Sequence, residues 1–144
     1  MEIKHKCLPY SISDNKEDLD REQIYRWLAT TYWAQKRPRE TVFASLQQSL
    51  CFGLYGESGQ AGFARVVTDY ATFSWVCDVF IAPAHRGKGL GKWLMETVVN
   101  HPAICRTNMT LVTRDAHGLY EQYGFVRMEM MRRMANEQTK SPAG

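Results

Sequence analysis

No two cysteines in this chain are spaced Cys-x-x-Cys, and no histidine stands at metal-ligand spacing from any of them. Cys7, Cys51, Cys77 and Cys105 are too scattered for a zinc site or a disulfide framework, so reduced, mostly buried thiols and no bound metal are expected. Long apolar runs are also missing. Nothing approaches the roughly 20 residues a membrane-spanning helix needs, so no membrane partner is expected. The first residues, MEIKHKCLPYSISDNKED, lack the apolar stretch and small-residue cleavage site of a secretory signal, which makes the cytoplasm the expected location. Charge of one sign is scarce: 18 basic residues against 15 acidic ones leave +3, spread along the chain rather than stacked in a stripe, so no nucleic-acid partner is expected either.

What remains fits one compact domain, because 144 residues bury roughly 70% of the surface their unfolded chain exposes and leave no room for a second. Its expected span is residues 1–134, with a polar, frayed tail over 135–144. Residues 7–12 read as a first strand. From Leu19 to Trp33 the apolar positions Leu19, Ile24, Trp27 and Leu28 recur at helical spacing, with Asp18 or Asp20 as cap. TVFASLQQSL is a second, short helix. The period then shortens: CFGLYG, QAGFARVVT and FSWVCDVFI are rich in aromatic and β-branched residues and are parted by turn residues, which predicts an antiparallel meander. GKWLMETVVNH reads as a third helix and residues 109–112 as a strand. DAHGLYEQY follows as a fourth helix stopped by Gly124, and FVRMEMMRRM as a last strand. The expected class is α+β, with about four helices around a mixed, mostly antiparallel sheet.

Between the third meander strand and the third helix lies Arg86-Gly87-Lys88-Gly89-Leu90-Gly91. Glycines this close let the backbone turn with its amides exposed, and amides at a helix N-terminus, with the positive end of the helix dipole, form an anion site. Arg86, Lys88 and Lys92 add positive charge from the sides. A dinucleotide fingerprint would need a glycine where Lys92 stands, and a Walker loop would need glycine at Arg86 and Ser or Thr at Trp93, so both nucleotide readings fail. A turn that only connects strand to helix stays open at this point.

The run Ile81-Ala82-Pro83-Ala84-His85-Arg86-Gly87-Lys88-Gly89-Leu90-Gly91 resembles the acetyl-CoA signature of the GNAT acetyltransferases, an apolar residue and a proline followed by Arg-Gly-x-Gly-x-Gly. Ala116, then Leu119-Tyr120 and Tyr123-Gly124-Phe125, resemble that family's second landmark, in the right order and with a helix and strand between. The resemblance covers roughly residues 7–134. It implies an α/β/α layered fold whose central sheet splays at the cofactor site. The backbone of Val79, Phe80 and Ile81 would pair with pantetheine, and Arg86, Gly87, Lys88, Gly89, Leu90, Gly91 and Lys92 would hold the pyrophosphate. One departure is Thr113, where family members often carry an asparagine.

The implied activity is transfer of an acetyl group from acetyl-CoA to an amine of a small molecule or peptide, by direct attack in a ternary complex. Tyr120 resembles the family's general acid. A phenol of pKa about 10 suits protonation of a thiolate whose conjugate acid lies near 8.5. The strand amide near Ile81 is the oxyanion donor, and Asp78, three residues before it, is the candidate base, with a structural role in the strand as its equal alternative. Trp33, Arg65, Asp69 and Trp75 stand in the parts that set acceptor choice, where Arg65 and Asp69 leave acidic and basic acceptors both open. The methionine-rich last strand offers an edge for the homodimers common in the family. A competing reading keeps the CoA site and discards catalysis, making the chain a sensor or interaction module.

Overall fold

The computed structural model describes residues 1–135. One sheet of six strands runs in sequence order: β1 (Glu2–Lys4), β2 (Ser11–Ser13), β3 (Leu50–Gly56), β4 (Gly59–Thr68), β5 (Phe73–Ile81) and β6 (Asn108–Thr110). All neighbours pair antiparallel except β5 and β6, which are parallel because α3 (Leu90–Val99) carries the chain across between them. The mixed sheet between helical layers is the expected class. Helices α1 (Arg21–Leu28) and α2 (Arg39–Gln47) lie against one face, where Ile24, Trp27, Leu28, Val42 and Leu46 meet Cys51, Phe63 and Phe80. On the other face α3 sets Leu90, Leu94, Met95 and Val98 against Ala64, Val66 and Val76. Each of those four α3 side chains is fully buried, worth about 1.5–3 kcal/mol apiece.

Four elements differ from expectation. The strand expected over 7–12 forms later, as β2, and pairs with an unforeseen N-terminal strand, β1, whose side chains are all exposed and so carry no burial pattern. Helix α1 begins at the Asp20 cap, which accepts from the Gln23 amide, but it ends at Leu28, well short of Trp33. There the hydroxyls of Thr30 and Thr31 donate back to the carbonyls of Trp27 and Leu28, and the chain turns out of the helix. The fourth helix, α4, is only His117–Glu121. The last expected strand, FVRMEMMRRM, is not a strand. Phe125 and Val126, then Met130 and Met131, are adjacent pairs that break the period of two, and β6 offers a partner edge of only three residues. Phe125 alone seats inward, edge-on to Tyr120, while Val126, Met128 and Met131 are exposed. The expected tail beyond Ala135 lies outside the described residues.

Two irregularities of β5 position the site. Opposite β4, Phe63 faces Phe80 while Arg65 faces Cys77, so Asp78 and Val79 together oppose Ala64 alone. This is a β-bulge, and it sets Asp78 in the left-handed region at φ 53°, which Asp tolerates better than most residues. On the opposite edge, β5 pairs with β6 only through Phe73–Trp75. Beyond Trp75 the two strands part, and among the described residues the stretch 76–81 has no strand on that side.

Candidate active site

The wedge where β5 and β6 part opens into a cavity of about 710 Å³ bounded by Thr31, Tyr32 and Trp33, by Val79 to Ile81, by the glycine-rich loop, and by Leu119 and Tyr120. The Ala82 amide donates to Ala61 in β4. Since successive N–H groups of a strand point to opposite edges, the Ile81 and Val79 amides face the wedge. These are hydrogen-bond donors for which the sheet supplies no partner strand.

At the mouth of the wedge, Gly87 and Gly89 have φ of 82° and 77°, and a Cβ on either would meet nothing within 4 Å. Their open faces make a cradle at the start of α3. No side chain caps this helix, so the amides of its first turn stay free, at the positive end of the dipole. A phosphate-sized anion fits such a place chemically and sterically. Arg86 turns back, its Nε donating to the Ile81 carbonyl at 2.8 Å and its guanidinium lying over the Phe80 ring. Lys88 donates to Tyr10 Oη at 3.2 Å, and the same oxygen is 2.7 Å from His85 Nδ1. Tyr10, at the entrance to β2, therefore ties down both ends of the loop.

Tyr120, half-buried, lines the same cavity as the Val79–Ile81 edge. Burial pushes its phenol upward, with Tyr32 and Asp115 adding to the effect, so at neutral pH it carries its proton. Its helix is held by Thr113, whose Oγ1 accepts from the Ala116 amide at 3.0 Å. Tyr32, which also lines the cavity, lies under the Arg114 guanidinium at 3.7 Å.

Asp78 is fully buried and fully engaged. Its Oδ2 accepts from Arg37 Nη1 at 2.8 Å and from Arg65 Nε at 2.9 Å, and its Oδ1 accepts from Trp33 Nε1 at 3.0 Å. Burial alone would raise this carboxyl, but the charge of Arg65 and then the hydrogen bond and charge of Arg37 outweigh it and hold it below the usual range. A carboxylate so satisfied is a poor proton acceptor. Arg65 is spoken for as well, with Nη1 on Ser49 Oγ at 3.0 Å.

Of the four expected acceptor residues, Trp33 borders the wedge, while Arg65, Asp69 and Trp75 border a second cavity on the α1/α2 side of the sheet. Asp69 does not offer a free charge. Its Oδ1 takes the amides of Ala71, Thr72 and Phe73 and its Oδ2 takes the Thr72 hydroxyl, which closes the β4–β5 turn and holds the carboxyl far below its ordinary range. Sequence reasoning missed Arg37 and Tyr10. Their partners lie 41 and 75 residues away, so no local spacing marks them. Among the described residues no cluster of His, Cys, Asp and Glu is fit to hold a metal. No helix among them is long and apolar enough to cross a membrane.

A family model described as an acetyltransferase (GNAT) domain matches residues 47–127. A crystal structure from Xanthomonas campestris pv. campestris, assigned provisionally as a GNAT-family acetyltransferase, is 40% identical, covers 89% of this chain and 95% of its own, and superposes with a TM-score of 0.84. A Clostridium acetobutylicum protein assigned as an acetyltransferase and solved with acetyl-CoA has the same fold, with a TM-score of 0.64 at 12% identity, over 96% of this chain and 98% of its own. A curated Gibberella zeae protein, provisionally an acetyltransferase, is 31% identical over 83 aligned positions, 45% of this chain and 47% of that protein. The chain thus spans about half the length of the curated relative it matches.

Proposed function

The chain belongs to the GNAT family of acetyltransferases, and from that premise we propose that it transfers an acetyl group from acetyl-CoA to an amine by direct attack within a ternary complex. The observation that carries this is one groove holding an uncapped, glycine-opened α3 N-terminus, unpaired strand amides and a protonated phenol. The acetyl-CoA bound by the Clostridium protein supports the choice of donor.

In this reading the amides from Arg86 to Lys92 take the pyrophosphate, while the β5 edge at Val79–Ile81 pairs with the amides of pantetheine as a missing strand would. The thioester carbonyl then lies near the Ile81 amide, whose preorganised N–H stabilises the oxyanion by about 3 kcal/mol. The amine lone pair forms the C–N bond, and the C–S bond breaks with its electrons on sulfur. Tyr120 gives its proton to that sulfur and recovers one from water. The proton lost by the amine leaves to water, because Asp78 is held by three hydrogen bonds from Trp33, Arg37 and Arg65 and its basicity is lowered by the two guanidiniums. Asp78 serves instead to position Trp33, Arg37 and Arg65 beside the reacting end.

The test separates chemistry from binding. Tyr120→Phe should lower kcat for thiol release, across a panel of amines, by about 10²–10⁴-fold, while the calorimetric Kd for acetyl-CoA stays within about twofold. An unchanged kcat would remove Tyr120 from the mechanism.

A further inference from the structure

The second cavity, about 410 Å³, lies on the α1/α2 side of β4 and β5, along the strand length that leads to the bulge. Its floor is apolar: Val67 and Trp75 are cross-strand partners, Phe73 and Cys77 extend the strip at either end, and Val67 and Phe73 are more than two-fifths exposed. An uncovered aromatic and aliphatic strip in a concave place is a surface for a ligand body. The Cys77 thiol is pushed up to about 11 by burial, so it stays neutral and adds to the apolar wall.

Charge distinguishes the two ends. At the hairpin end Asp69 spends both oxygens on its own turn. At the bulge end two guanidiniums share the single carboxylate of Asp78, which leaves one positive charge in excess. Arg65 is nearly buried, with 11% of its side chain exposed, and Ser49 takes its Nη1. Arg37 is the accessible member, 29% exposed and lining the cavity, and among the described residues its Nη2 makes no hydrogen bond. This end also leads toward the Val79–Ile81 wedge where the proposed thioester is held, because Trp33 borders the wedge and donates to the same Asp78 carboxylate that holds Arg37. The other end, at Phe73, is about 17 Å from Asp78 along the strand at 3.3 Å per residue.

We propose that the acceptor is an α-amino acid with an aromatic or branched apolar side chain, its carboxylate on Arg37, its amino group toward the Val79–Ile81 wedge and its side chain on Trp75 and Val67. This rests on the acetyltransferase reading and narrows its acceptor. Of the two signs of acceptor that the sequence left open, the excess guanidinium selects the anionic one, and the apolar floor disfavours sugars and polyamines.

Matched pairs test it without any mutation. Thiol release with L-phenylalanine should exceed that with phenethylamine and with phenylalanine amide by about tenfold to a hundredfold in kcat/KM, the worth of a hydrogen bond to a charged group. Arg37→Met should erase that preference and Arg37→Lys restore part of it, with thermal melting confirming that both variants fold. Calorimetry in the presence of CoA supplies a readout free of turnover: L-phenylalanine should bind wild type and not Arg37→Met. Equal use of phenethylamine, or a preference for L-phenylalanine that survives Arg37→Met, overturns the proposal. Binding through Arg37 without thiol release from any amine sustains the anion site and sinks the acetyltransferase reading. Thiol release confined to amines lacking a carboxylate does the reverse.

Discussion

The groove proposed for the donor and the cavity proposed for the acceptor are built from different materials. The groove is made of backbone: strand amides at Val79 and Ile81, first-turn amides of α3, and glycines with positive φ. The cavity is made of side chains that converge from separate elements, Arg37 between α1 and α2, Arg65 and Val67 on β4 and Trp75 on β5, with both arginines held by Asp78 behind them. A backbone site can be shared by every member of a family that binds one donor. A side-chain site is free to differ with each acceptor, and here it hinges on one carboxylate shared by two arginines.

Replacing that carboxylate is the most direct way to break the comparison. Asp78→Asn keeps the shape and tolerates φ 53°, but it leaves Arg65 buried without a counter-charge, at a cost of about 3–5 kcal/mol. Urea unfolding should read this as a lowered midpoint, whereas acetyl-CoA affinity, governed by backbone on the other side of β5, should fall far less in the fraction that stays folded. The pH dependence follows from the same contact. The folded carboxyl lies below its unfolded value, so its contribution is complete above about pH 4 and is lost as pH falls through the folded value. Asp14, held low against burial by the N-terminus and His101, shifts wild type in the same direction. The difference between wild type and Asp78→Asn, shrinking as pH falls through the folded value, isolates Asp78; a difference that stays constant with pH would show that the ion pairs carry no weight.

The donor side should fail in the opposite way. Gly89→Glu places a carboxylate in the open cradle at the α3 N-terminus and should weaken acetyl-CoA binding at least about tenfold, by repelling the phosphates and occupying their site. A non-glycine residue at φ 77° also costs roughly 1–2 kcal/mol. Gly59→Glu is the control, since Gly59 has φ 117°, equally open surroundings, and a place on the β3–β4 turn. It should lose comparable stability with acetyl-CoA affinity intact. If both substitutions leave affinity unchanged, the loop does not hold the pyrophosphate.

This division also explains what could be read in advance. The meander and the α3 amphipathicity are local patterns with buried faces, so β3, β4, β5 and α3 fall where their periods place them. The loop was legible because glycine spacing encodes backbone conformation directly. Ion-pair partners are not encoded that way: Arg37 sits in a polar loop beside Pro38 and resembles any solvated charge until the fold brings it to Asp78, 41 residues on. Asp69, conspicuous in sequence as a charge between two strands, turned out to be a turn cap, a role compatible with the same residue type. The apolar residues from Phe125 to Met131 suggested a strand, but they do not keep a period of two, and β6 offers an edge of only three residues.

The smallest expected effect lies where a side chain serves the backbone site. Tyr10 Oη holds His85 and Lys88, at opposite ends of the loop, while its ring lies edge-on to His85 with centroids 5.6 Å apart. Tyr10→Phe keeps the ring and its packing and removes only the oxygen. Two hydrogen bonds worth about 1 kcal/mol each are lost, partly replaced by water at this half-open site. The KM for acetyl-CoA should rise about threefold to tenfold with kcat unchanged, because Tyr10 touches the loop and not the reacting atoms. If kcat fell and KM held, the tether would act on the chemical step, and the separation between a backbone site for the donor and side chains for the acceptor would have to be redrawn at the loop.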